Sequence, residues 1–356
     1  MILLKSLQQY IDKGRGPSAR ALDRMPKVAQ EAIAKLLAYP YHYPQLDSFT
    51  KALMAAQLKQ GYQNLIDPHH IESSRQQFDA NMQSIVHKPT PISHIEDIPV
   101  ALRSGNIYAR HYHPAPNKKL PMLVFYHGGG FIVGSIESHD EVCRMIAAYA
   151  KVQVLSIEYP LAPEVGPHEL IQCCEDALAW VYQHRNQFKI LKNRIAVGGD
   201  SAGGNISTIV AQRAAQTNYA AHAQLLIYPV VDFKSRHPSY YGYQQGLILT
   251  GQDIDTVTHY YAKQYHIDLE DPIISPHYGR LKKLAPAFVV TAGHDVLHDE
   301  GKIYAYKLRQ NGVKVEYVDY EDQTHGFVNL TSVSKKARKN LIEISKAFRA
   351  FWDKNS

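Results

Sequence analysis

Gly199-Asp200-Ser201-Ala202-Gly203 stands between a short apolar run, Ile195 to Val197, and a stretch from Ala202 to Gln216 in which apolar residues return every three or four positions. The first pattern is that of a buried strand and the second that of an amphipathic helix. A strand turning this sharply into a helix forces the central residue into a strained conformation, and glycines on either side remove the clashes that bulkier neighbours would cause. Ser201 then projects its hydroxyl above the sheet edge. The Ala202 N–H, at the start of the helix, points at the same space, where a developing negative charge would be stabilised. The pentapeptide alone also fits a glycine-rich turn with a bystander serine, so its strand-to-helix context carries the reading.

Working outward, five more apolar runs have the same character: Met122 to Tyr126, Val152 to Ile157, Leu225 to Tyr228, Ala287 to Thr291 and Val315 to Val318. Glu141 to Ala150, Glu169 to His184 and Glu300 to Gln310 lie between them with helical periodicity, and Lys335 to Trp352 reads as a terminal helix. Short buried strands alternating with amphipathic helices predict an α/β fold with a mostly parallel sheet flanked by helices. Upstream, Ile98 to Leu102 and Ile107 to His113 flank Ser104-Gly105-Asn106 and predict an antiparallel hairpin.

A second glycine run, His127-Gly128-Gly129-Gly130-Phe131, directly follows the first of these strands. Three glycines in a row are entropically costly, which implies that something approaches that backbone closely. The N–H groups of Gly128 and Gly129 join Ala202 as candidate donors to an oxyanion, each worth about 3 kcal/mol of barrier. No Lys-Ser/Thr pair follows and no G-x-G-x-x-G is present, which weakens a nucleotide reading.

A serine nucleophile needs a base and an orienting acid. After a serine on such a turn the expected chain order is acid, then histidine. Asp295 follows Ala287 to Thr291 through Ala292-Gly293-His294, and His325, in Gln323-Thr324-His325-Gly326-Phe327, follows Val315 to Val318. Both therefore fall on the sheet edge that carries Ser201. His294-Asp295 with His298, and His139-Asp140, are fragments of metal-site type, but they lack a third or fourth ligand. His69-His70 reads as a surface loop and His111-Tyr112-His113 as part of an edge strand.

Residues 1–80 carry helical patterns (Ser6 to Lys13, Pro26 to Leu37, Phe49 to Leu65) and no buried-strand run, and Pro89-Thr90-Pro91 reads as the joint to the sheet domain, 81–356. Residues 234–266 form an irregular insert with six tyrosines (240, 241, 243, 260, 261, 265), of a length typical of a lid or binding element.

The 356 residues, 45% hydrophobic and 20% charged, fit a globular chain rather than a disordered one. A formal net charge of +6 over this length implies no nucleic-acid partner. No 18-residue apolar run exists and no signal-peptide core forms behind Met1-Ile2-Leu3-Leu4-Lys5, so a cytoplasmic location without stable membrane insertion is expected. Cys143, Cys173 and Cys174 have no disulfide or metal spacing and read as reduced, buried thiols.

Together these pieces resemble the hormone-sensitive-lipase-like branch of the α/β-hydrolase family, the bacterial carboxylesterases and lipases, over residues 95 to 352. His127 to Gly130 is similar to that family's oxyanion motif, Gly199 to Asn205 to its nucleophile motif, Asp295 to Gly301 to its acid region and His325-Gly326-Phe327 to its base. Glu158-Tyr159-Pro160-Leu161-Ala162-Pro163-Glu164 is similar to a further family stretch but has Pro160 where Arg is usual, and Val165-Gly166-Pro167-His168 departs likewise. The resemblance implies a serine carboxylesterase with Ser201, Asp295 and His325 as triad and a helical cap built from the N-terminal segment and the 234–266 insert. Its substrate would be a small-molecule ester of short to medium chain, with no cofactor and no metal, and a homodimer stays open. A deacetylase or amidase would use the same triad, and a non-catalytic small-molecule-binding protein is the alternative outside enzymes.

Overall fold

A computed structural model describes residues 15–62, 64–103 and 105–355; the pattern at Ser6 to Lys13, and Ser104 of the hairpin turn, lie outside these. Four helices come first: α1 (Arg15–Asp23), α2 (Lys27–Leu36), α3 (Ser48–Lys59) and α4 (Ile71–Ile85). The Asp47 side chain accepts from the Thr50 N–H (3.1 Å) and starts α3. The helix stops short of the expected Leu65 because the chain breaks out at Gly61, whose φ of +84° suits glycine. Helix α4 runs through residue 80 to Ile85.

The sheet begins with β1 (His94–Leu102) and β2 (Gly105–His113), paired antiparallel from His94 opposite His113 to Leu102 opposite Gly105. In chain order there follow β3 (Leu120–Tyr126), α5 (Asp140–Ala150), β4 (Gln153–Ile157), α6 (Pro167–Gln183), β5 (Ile190–Asp200), α7 (Ala202–Ala214) and β6 (Ala223–Ile227). The short helices α8 (Pro238–Tyr243) and α9 (Gly251–Val257) precede β7 (Ala287–His294), α10 (His298–Gln310), β8 (Val315–Thr324) and α11 (Lys335–Lys354). The order across the sheet is β1-β2-β4-β3-β5-β6-β7-β8, antiparallel at β1/β2 and β2/β4 and parallel elsewhere.

Strands β3, β4 and β6 are buried almost throughout because helices cover both faces. Alternation along β3 shows the division: Met122, Val124 and Tyr126 join the core under α6 and α7, while Leu123 and Phe125 join the one under α5 and α11. Large side chains such as Phe348 and Trp352, fully buried in the second core, each contribute about 1.5–3 kcal/mol. His111 and His113 do not lie on an edge strand: β2 has β1 on one side and β4 on the other, and both histidines are buried, with His111 Nε2 2.9 Å from Gln153 Oε1. His69 and His70 are exposed.

Residues 234–266 are mostly helical rather than irregular, continuing from α9 through a π turn (Thr258–Ala262) and a 3-10 turn (Lys263–Tyr265). They are fastened to the segments that connect the N-terminal helices. Asp253 Oδ1 accepts from the N–H groups of Leu65 (2.8 Å) and Ile66 (3.0 Å), and the hydroxyls of Tyr39 and Tyr260 donate to the carbonyls of Gly246 (2.7 Å) and Pro68 (2.9 Å). No described helix is long and apolar enough to cross a membrane.

Candidate active site

Ser201 follows β5 directly and precedes the first residue of α7, with φ 55° and ψ −118°. A non-glycine residue held there carries about 1–3 kcal/mol of strain, which the surroundings must hold in place. They do so through the Ser201 N–H, which donates to Ile227 O (2.8 Å), and through Gly203, where any Cβ would overlap the Tyr126 carbonyl oxygen. The turn therefore seats tightly against β3, and only glycine fits.

Asp295 lies just past β7 and His325 just past β8. The carboxyl ends of parallel strands share one edge, so both meet Ser201 there. His325 Nδ1 is 2.6 Å from Asp295 Oδ2, and His325 Nε2 is 2.9 Å from Ser201 Oγ. The Leu297 N–H donates to the other Asp295 oxygen (2.9 Å), which fixes the carboxylate's orientation. The Tyr228 ring lies 4.5 Å from the imidazole, centroid to centroid. All three residues are buried. The sequence-predicted serine, acid and histidine thus form one hydrogen-bonded line.

The glycine loop needs one correction. The Gly128 N–H is engaged: it donates to Asp200 Oδ1 at 3.0 Å. Gly129 and Gly130 line the cleft beside Ser201, and among the described residues nothing accepts from their N–H groups. Gly129 has φ +122° and its carbonyl accepts from the N–H groups of Ile132 (3.2 Å) and Val133 (2.9 Å), which closes the loop into a tight turn. Ala202 sits at the helix start as expected.

Asp200 is the residue that sequence reasoning passed over. Burial works against its charge, but His139, with Nε2 3.3 Å from Oδ1, together with His325 and the Gly128 N–H, holds the carboxyl below the ordinary range. His139, whose fragment lacks the ligands of a metal site, is Asp200's partner. The other fragment resolves similarly: His298 Nε2 lies 2.9 Å from Asp319 Oδ2, and the His294 ring sits against Tyr43 and Tyr243. The three cysteines are buried and unbridged, and burial raises each thiol's pKa.

A second feature no local pattern announces is Arg75 on α4. Its Nε donates to Ile132 O (2.8 Å), Nη2 donates to Ala162 O (2.8 Å), and the fork meets Glu164 at 2.9 and 2.6 Å. One guanidinium therefore joins α4, the glycine loop and the stretch that contains Pro160.

A match to a family model described as α/β-hydrolase fold covers residues 123–329, more than half of the chain. The chain belongs to the α/β-hydrolase fold family. Within it, this α/β-hydrolase stands with the carboxylic ester hydrolases of the hormone-sensitive-lipase-like branch. It is 38% identical over 281 residues to the carboxylic ester hydrolase LipN of Mycobacterium tuberculosis, covering 76% of this chain and 75% of that one. It is 34% identical to the ethyl acetate hydrolase of Pseudomonas putida, covering 78% and 89%. Among solved structures, an esterase from Pyrobaculum calidifontis superposes with a TM-score of 0.73 at 34% identity (79% of this chain, 93% of that one). An ester hydrolase from the Lake Arreo metagenome, complexed with a bipyridine phosphonate derivative, superposes with 0.81 at 31% (88% and 100%).

The cleft of this α/β-hydrolase opens beside Ser201 and His325 and is lined mainly by apolar side chains. Leu65, Ile66, Phe78 and Met82 enter it from the N-terminal segment and Ile248, Leu249, Ile254 and Val257 from the insert. Its polar end holds Asp232, Ser235 and Arg236. Glu300 closes the floor, accepting from the N–H groups of Val231 (2.7 Å) and Asp232 (3.2 Å), and burial pushes its carboxyl well above the usual range.

Proposed function

We propose that this chain is a serine carboxylesterase that hydrolyses short- to medium-chain carboxylic esters through an acyl-serine intermediate. The observation that carries the reading is the hydrogen-bonded line from Ser201 Oγ through His325 to Asp295, with spare backbone donors of the glycine loop beside it. Ser201 Oγ attacks the ester carbonyl while its proton passes to His325 Nε2, and Asp295 holds the imidazole in the productive tautomer and stabilises its charged form. The carbonyl electrons move onto oxygen, and the N–H groups of Gly129, Gly130 and Ala202 stabilise that oxyanion. Collapse breaks the bond to the alcohol, which leaves with the proton from His325. Water then gives a proton to His325, attacks the acyl carbon and releases the acid, restoring Ser201.

The domain reading goes with it. Residues 1–80 and 234–266 act together as a cap over a catalytic domain of 81–356, as suggested by the hydrogen bonds that tie the described parts of both segments together and by the side chains both place in the cleft. The Pseudomonas relative, named for ethyl acetate, supports a short acyl group.

The test is covalent trapping. A p-nitrophenyl alkylphosphonate, which mimics the tetrahedral intermediate, is expected to abolish esterase activity in proportion to label found on the peptide carrying Ser201. Label on another residue, with Ser201 unmodified and activity lost, would overturn the assignment.

A further inference from the structure

A second apolar chamber lies behind the cleft. It lies between α1, α2, α3 and α4, with walls that include Leu22, Ile33, Leu53, Ala56, Ile85 and Val333. Met82 and Leu330 line both spaces, so the partition between chamber and active-site cleft is one layer of side chains. Leu330 is buried at the end of the short turn that follows His325, so the partition stands beside the reacting centre. Met82 is half-buried and unbranched, and a methionine moves between rotamers at little cost.

We propose that this chamber is the tail subsite for the acyl chain, reached past Met82, so that long unbranched acyl groups thread from Ser201 into the helices of the N-terminal segment. The proposal rests on the esterase reading above and deepens it. The occupant follows from continuity. Chamber and cleft share Met82 and Leu330, and most of the chamber's lining is apolar, suited to methylenes rather than to a polar alcohol. With Met82 closed, the cleft favours short acyl groups. With Met82 displaced, each further methylene can raise kcat/KM by up to about fourfold.

The experiment compares kcat/KM for p-nitrophenyl butyrate and laurate in the full chain, Met82→Ala and Ala56→Phe. Met82 sits at the partition and Ala56 lines the chamber but not the cleft, so the two substitutions have opposite effects on one quantity. The laurate-to-butyrate ratio is expected to rise about tenfold in Met82→Ala and to fall about tenfold in Ala56→Phe, scaled from the per-methylene value. A ratio unchanged in both variants, with butyrate still hydrolysed, overturns the tail subsite and leaves the esterase reading intact. A full chain inactive on both esters overturns the esterase reading and this proposal with it.

Discussion

The Gly128 N–H donates to the Asp200 carboxylate at 3.0 Å, tying the glycine loop to the residue immediately before Ser201. Donor loop and nucleophile turn are thereby held in one frame, and His139, against the same carboxylate oxygen, helps hold the Asp200 carboxyl below its ordinary range. Replacing Asp200 with Ala removes that anchor without touching Ser201, Asp295 or His325. The expected outcome is a fall in kcat of at least about tenfold, towards the cost of one lost oxyanion donor, with KM for butyrate changed little. Steady-state kinetics on p-nitrophenyl butyrate checks it; an unchanged kcat would show that the loop needs no anchor.

Arg75 has a similar role from the other side. Its guanidinium satisfies the Ile132 and Ala162 carbonyls as well as Glu164, and Ile132 in turn donates to Gly129 O. Arg75→Ala is expected to lower kcat by about tenfold, with Arg75→Lys recovering only part, because one ammonium cannot reproduce a planar fork. Full recovery by Lys would reduce the interaction to charge alone.

Asp295→Asn leaves a group of nearly the same shape 2.6 Å from His325 Nδ1 but removes the charge that selects the tautomer. Loss of kcat by about ten-thousandfold is expected, with binding of substrate retained. Single-turnover kinetics separates the two.

Stability should weaken in acid. Burial lowers the His111 imidazole to about 4 and that of His127 to about 3, while an unfolded chain takes up these protons near 6.5. The unfolded state therefore binds more protons below that point, and stability falls with pH from about 6.5 down through about 4, at up to about 1.4 kcal/mol per unit for each histidine. His111→Gln removes one of the two groups. Urea titrations at a series of pH values should show a shallower acid loss in that variant, and parallel curves would contradict the assignment.

What could be read from residues alone was what local pattern encodes. The runs at Met122 to Tyr126 and Ala287 to Thr291 are continuous because both faces of those strands are buried, and the glycines around Ser201 record a steric need at that very place. Helix α4 escaped notice because only Ile71, Phe78, Ala80, Met82 and Ile85 of its fifteen residues are apolar. The position of β2 depends on which strand it pairs with, which nothing in Ile107 to His113 specifies. Gly128 and Gly129 look alike in sequence; only the Asp200 carboxylate, seventy-two positions away, distinguishes them.

The proposed chemistry turns on Ser201 as the nucleophile. The most direct measurement is turnover of p-nitrophenyl butyrate by Ser201→Ala, whose small, buried side chain should leave the fold intact, as circular dichroism would verify. The mechanism predicts a loss of kcat of about a millionfold, down to the residual rate that oxyanion donors and binding provide. Hydrolysis retained within tenfold of the unsubstituted chain would contradict it.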